Sequence, residues 1–243
     1  MKQKQFKVKL AKSIVTLFVF LAAMTVNAQE VSVGADIVSG YVWRGTNLGG
    51  VSIQPSISVA HSGFSLTAWG SVGLESTDIK EFDLTLGYGI GGFSAALTDY
   101  WFDKSYVGGD DEIILVPNNY FKYAAHSTAH VYEATLGYDF GLFSLSWNTN
   151  FAGADYAKAN GKRAYSSYAE AVVPFKLGGY DFAAEVGLTP WEGAYSNELN
   201  VTNIGLKVAK NIVVTESFTI PAFAKVVLNP NSEQAYFVFG ITF

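Results

Sequence analysis

The sequence has no cysteine, and it has only three histidines: His61, His126 and His130. Without cysteine there is no disulfide framework, no thiolate metal site and no lipid-bearing cysteine anchor. The histidines are dispersed and make no metal cluster. Charge is scarce as well. Asp, Glu, Lys and Arg make up 15% of the chain, against about 25% in an ordinary globular domain. No basic cluster is present to neutralise phosphates, which excludes nucleic acid as a partner. Beyond residue 28 no segment approaches the roughly 18 consecutive apolar residues of a membrane-crossing helix. Gly87-x-Gly89-x-x-Gly92 has the spacing of a dinucleotide fingerprint, but it ends a strand in a turn with no helix after it. No cofactor and no metal are expected.

What the chain has is apolar surface: 49% of its 243 residues are hydrophobic and 15% aromatic. Residues 1–28 carry five lysines and no acid, an apolar stretch from Ile14 to Met24, and the small-residue pattern Val26-Asn27-Ala28. That is the pattern of a secretory signal peptide. It leaves residues 29–243 as one domain with a net charge of about −10, since five of the 16 basic groups depart and all 21 acids stay. An exported chain that is apolar without being helically apolar points to a membrane β-barrel.

Periodicity supports this. Alternation of period two predicts strands at 31–43, 51–60, 64–73, 81–90, 93–102, 128–139, 143–152, 164–175, 180–190, 199–209, 216–228 and 235–243. Twelve is an even number, as single-chain bacterial barrels require. Connections after the even strands are mostly tight, with a longer one at 210–215. Those after the odd strands are longer and polar: 44–50, 74–80, 103–127, 153–163, 191–198 and 229–234. Short turns at one end and long loops at the other predict a transmembrane antiparallel up-and-down barrel in the outer membrane of a Gram-negative bacterium, with both termini periplasmic.

Alternation alone fits a soluble barrel too, and two features separate the cases. On the apolar parity, aromatics gather at strand ends. Tyr41, Trp43, Phe82, Trp101, Tyr132, Phe151 and Tyr165 fall at the loop end. Tyr88, Tyr138, Phe143, Phe175, Tyr180 and Phe243, with Phe64 and Phe93, fall at the turn end. Such girdles are what lipid interfaces select. The other parity is small and polar rather than a Lys/Glu coat. The last strand, Ala235 to Phe243, alternates strictly and ends on phenylalanine, resembling the signal read by barrel-insertion machinery. Outer-membrane lipid and that machinery are the expected partners. Pro55 and Pro221 fall inside strands and predict bulges or shifted boundaries. Asp99, on the lipid parity, predicts a register change near the top of its strand.

Tyr41-Val42-Trp43-Arg44-Gly45, Gln54, Ala68-Trp69-Gly70-Ser71 and Glu81-Phe82-Asp83-Leu84-Thr85-Leu86-Gly87-Tyr88 together resemble the TorF-like, or "gcw", family of outer-membrane porins. Tyr132-Glu133-Ala134 with Gly137-Tyr138 resembles its later segment. The resemblance spans roughly residues 36–140 and implies an outer-membrane barrel that forms a pore. It supplies no catalytic residue and no substrate.

The inward parity carries the acids Asp36, Glu81, Asp83, Glu133, Glu170, Asp181 and Glu185 and the bases Arg44, Lys207 and Lys225. An acidic excess in a confined polar lumen concentrates cations. The reading is a passive, weakly cation-preferring pore for small polar solutes, with these residues lining it. Two alternatives stay open. The charges pair across the interior and plug it, leaving a structural or surface-binding barrel that works through its loops. Less favoured is a lipid-modifying enzyme built on His126, Ser127 and His130; adjacent strand residues point to opposite faces, which separates that serine from its histidine, and no catalytic residue is expected. Arg44 is the residue of greatest interest, because guanidinium pairs with carboxylates at two points. Loop 103–127, with Asp110, Asp111 and Glu112 among aromatics, either folds inward as a constriction or lies solvated at the surface; its acids match no calcium-loop spacing.

Overall fold

A computed structural model describes residues 30–75, 78–103, 105–106, 113–114, 119–124 and 127–243. The proposed signal peptide and His126 lie outside the described residues.

Twelve strands close into one antiparallel barrel. They are β1 (Glu30–Val38), β2 (Ser52–His61), β3 (Phe64–Gly73), β4 (Glu81–Ile90), β5 (Phe93–Phe102) and β6 (His130–Asp139). Then follow β7 (Ser144–Gly153), β8 (Ser167–Leu177), β9 (Tyr180–Thr189), β10 (Asn200–Thr215), β11 (Phe218–Asn229) and β12 (Gln234–Thr242). Each pairs with its sequence neighbours, and the seam closes where Asp36, Ile37 and Val38 of β1 face Thr242, Ile241 and Gly240 of β12. Closure leaves the sheet no unpaired edge, which in hydrocarbon would cost several kcal/mol per group. Tight turns follow from residues that accept left-handed backbone: Ser62 (φ 50°) and Gly63 (φ 84°) join β2 to β3, the geometry that matches strand twist.

The pleat sorts the side chains as the alternation predicts. Leu86, Leu136 and Phe237 stand 52%, 56% and 66% exposed on the outer wall. Their neighbours Glu81, Asp83, Glu133, Asn148 and Asn150 turn inward and are buried. The barrel is therefore apolar outside and polar inside.

Four expectations change. β1 ends at Val38 instead of running to Trp43, and a separate hairpin, Tyr41–Trp43 paired with Thr46–Gly49, follows it. The expected connection at 210–215 is strand: β10 continues to Thr215, which faces Phe218 across a tight turn. Neither proline makes a bulge. Ile53 faces Val72 and Ser56 faces Trp69 in one register on either side of Pro55. Pro221 faces Asn211 on β10, while the β11–β12 ladder begins only at Ala222, so its missing N–H leaves no partner unserved on that side. Nor does the register change at Asp99. The β4–β5 ladder runs unbroken from Glu81 opposite Phe102 to Ile90 opposite Phe93, and Asp99 stays on the outer wall.

Candidate functional site

Ser39 donates its backbone N–H to the Phe239 carbonyl (2.8 Å), and the chain leaves the wall at Gly40. The hairpin then crosses the mouth of the barrel at the loop end. Its tip is Arg44 (φ 49°) and Gly45 (φ 81°). A β-carbon at Gly45 would lie 1.8 Å from the Thr202 carbonyl oxygen of β10, so only glycine lets the tip reach that wall. Asn229 of β11 donates from Nδ2 to the Gly45 carbonyl at 3.0 Å. The tip is thus pinned to β10 and β11.

Arg44 is held by another part of the wall. Its Nη1 donates to Glu133 Oε2 (2.5 Å) and its Nη2 to Glu133 Oε1 (2.9 Å). Nη1 also donates to the Tyr195 hydroxyl at 2.5 Å. The guanidinium carbon sits 4.9 Å from the Trp43 ring, 4.8 Å from Tyr168 and 5.5 Å from Tyr195. Tyr100 donates to Glu133 Oε1 at 3.0 Å. Burial works against the Arg44 charge, but Tyr195 and Glu133 beside it hold its pKa above the ordinary arginine value. A two-point pair enclosed by aromatic faces is the geometry that arginine makes and lysine does not.

From this point a polar lattice continues down the interior. Tyr168 donates to Glu170 (2.6 Å), and Asn203 Nδ2 donates to Glu170 (3.2 Å) and to Glu185 (2.9 Å). Lys225 pairs with Glu185 at 2.5 Å. Arg44, Glu133, Glu170, Glu185 and Lys225 are therefore brought together. Lys207 is apart, its ammonium 4.4 Å above the Phe223 ring. Asp36 accepts from Thr242 (2.6 Å) across the seam. Glu81 and Asp83 form a second group, with the Tyr41 phenol hydrogen-bonded to Glu81. Burial beside that carboxylate raises the Tyr41 pKa well above the ordinary phenol value.

Accessibility grades along the inner face. At the loop end Glu133, Ser167, Thr189 and Thr202 are sealed. At the turn end of the same or adjacent strands, Ser94 is exposed and Thr135, Gly137, Ser146, Ala183 and Lys207 are half-buried. The interior is a polar funnel, open at the turns and stoppered at the loops by the hairpin.

The chain matches no family model and no curated protein. Among solved structures it is similar to the crystal structure of BamA from Haemophilus ducreyi lacking POTRA domains 1-3. Identity is 12%, covering 83% of this chain and 41% of that one, with a TM-score of 0.41. This chain thus spans less than half of that protein.

On the outer wall, the aromatics of the turn end point outward. Tyr138, Phe143, Phe175, Tyr180 and Phe243 are exposed there, and Tyr88 packs on Phe64 at 4.6 Å. At the loop end Phe82, Phe151 and Tyr165 are exposed, and Tyr132 packs on Phe151 at 6.3 Å. Two expected members are elsewhere. Tyr41 lies against Trp69, an inward residue, at 5.7 Å, and Trp43 lies against Arg44. Both left the wall with the hairpin. Trp191, outside the expected set, is exposed and lies 5.9 Å from Trp147.

Trp101 is buried beneath Tyr120 (5.6 Å), because the segment 119–124 lies on the outside of the barrel. It covers Asp99. His130 Nδ1 is 2.7 Å from Asp99 Oδ1, and His130 Nε2 is 2.6 Å from the Tyr120 carbonyl. A carbonyl only accepts, so Nε2 carries a proton. Both ring nitrogens are thereby engaged. The described part of loop 103–127 has draped outward over the wall and not into the lumen.

Proposed function

We propose that this protein is an outer-membrane barrel of a Gram-negative envelope whose lumen is a channel for small polar solutes, held closed in this conformation by the hairpin 41–49. The observation that carries the reading is the funnel. Its turn-end half is lined by small polar residues that keep solvent access, while its loop end is filled by a hairpin from one connection, attached to the wall by its tip. Opening requires the hairpin to unseat, which breaks contacts made chiefly by Arg44 and Gly45. Once open, the acids Glu81, Asp83, Glu133, Glu170 and Glu185 outnumber Arg44, Lys207 and Lys225, and the lumen prefers cations. The resemblance of residues 36–140 to TorF-like porins supports the same reading.

Planar-bilayer recording in a salt gradient tests it. The intact barrel is expected to conduct rarely, and a variant with 41–49 replaced by a short Gly/Ser linker is expected to conduct continuously with cation preference. A folded hairpin-less barrel with no conductance would remove the channel and leave a closed scaffold that binds through its loops.

A further inference from the structure

Above the Arg44–Glu133 pair, at the outer end of the barrel, lies a cavity of about 220 Å³. Five aromatic residues line it: Trp43 of the hairpin, Tyr100 and Phe102 of β5, Tyr156 of the loop 154–166, and Tyr195 of the loop 190–199. Trp43 and Tyr156 are both 39% exposed, so the cavity opens to the outside. One carboxylate, Asp155, and one guanidinium, that of Arg44, border it.

The charges in this place do not balance. Arg44 is fully engaged by Glu133. Asp155 is held by neutral donors alone, Asn150 Nδ2 at 3.3 Å on one oxygen and the Ser166 N–H at 3.2 Å on the other. Among the described residues no cation stands within ion-pair distance of it. Glu133, Asp155 and Arg44 together leave one negative charge, beside ring faces whose negative quadrupole also favours a cation. A hard metal ion would need several oxygen ligands, and no cluster of three metal-ligating acids or histidines occurs among the described residues. Rings plus a single carboxylate suit a weakly hydrated organic cation. Two of these rings already serve one: the Arg44 guanidinium stacks on Trp43 and Tyr195.

We propose that this vestibule binds a small organic cation of the alkylammonium or guanidinium class, with Asp155 as counter-ion and the rings of Trp43, Tyr100, Phe102, Tyr156 and Tyr195 as its walls. The proposal rests on the channel reading for its purpose, since it names the class of solute that arrives at the closed mouth. Binding itself needs no conduction.

The test is a titration of the refolded full barrel in an uncharged sugar detergent with tetramethylammonium chloride, following tryptophan fluorescence. Sodium chloride at matched ionic strength and tert-butanol, the nearest neutral shape, serve as controls. A saturable change is expected with tetramethylammonium and with neither control. Asp155→Asn is expected to weaken it by about tenfold or more, and Tyr156→Ala to weaken it while the barrel keeps its heat-modifiable mobility. An equal response to tert-butanol, or an unchanged affinity in Asp155→Asn, overturns the proposal. Bilayer recording separates the two readings. Binding without conductance in the hairpin-less barrel sinks only the channel, whereas conductance without saturable binding sinks only the vestibule site.

Discussion

Arg44 and Glu133 are 89 residues apart in sequence and meet in a two-point ion pair that is nearly sealed from solvent, their side chains 7% and 2% exposed. One belongs to a hairpin and the other to the wall, so this pair latches the stopper to the barrel.

Removing one partner strands the other. Arg44→Ala or Glu133→Ala is expected to destabilise the seated hairpin by about 3–5 kcal/mol and to raise open probability in bilayers. Arg44→Lys is expected to recover little, because an ammonium cannot make both bonds. The double variant should cost much less than the sum of the singles. Additive effects would show that the two residues are not coupled.

Gly45→Ala tests the seat of the tip independently of charge. The added carbon meets the Thr202 carbonyl, and the left-handed backbone resists it as well. Conductance is expected to rise as in Arg44→Ala, while strand content by circular dichroism stays the same.

Alkali is expected to open the barrel. Burial, then Glu81, raises the Tyr41 pKa, and burial, then Glu133, raises that of Tyr195 despite Arg44. A seated phenol keeps its proton above pH 10, the ordinary phenol value, whereas an unseated one loses it. The seated state is fully favoured below about pH 10 and loses ground as pH rises past it. Open probability should climb there, and less steeply in Tyr41→Phe.

The strap over the outer wall gives a protease test. Asp99→Ala removes the acid that fixes His130, and with it the anchor for the Tyr120 carbonyl. Lys122 is exposed within that strap. Trypsin is expected to cut after Lys122 several times faster in the variant than in the parent protein. Equal rates would mean that the aromatic contacts alone hold the strap.

Most of the barrel was legible because a wall apolar outside and polar inside imposes period two on its strands and turn residues punctuate them; β3, β4 and β5 begin and end where the alternation does. The stopper was not legible. Tyr41-Val42-Trp43 alternates just as a strand does, and period two does not distinguish a strand that stays in the wall from one that folds into the lumen. Gly40 and the Arg44-Gly45 pair were the local signals of a departure and a tight tip. Asp99 could be read as misplaced on the lipid parity, but its remedy, His130 with the Tyr120 carbonyl, comes from a strand and a loop that pattern cannot join. Tyr195 sits in a connection with no periodicity at all. The lattice from Glu133 to Lys225 depends on which inward residues face one another across the lumen, and neighbour pairing does not carry that information.

The stopper also bears on the order of assembly. It is encoded between the first and second strands, yet its tip rests on Thr202 and Asn229, from the tenth and eleventh. Contacts of such long sequence separation form late. A cylinder still gaping along the join between its first and last strands offers the tip no floor, so the stopper seats only after the join is made.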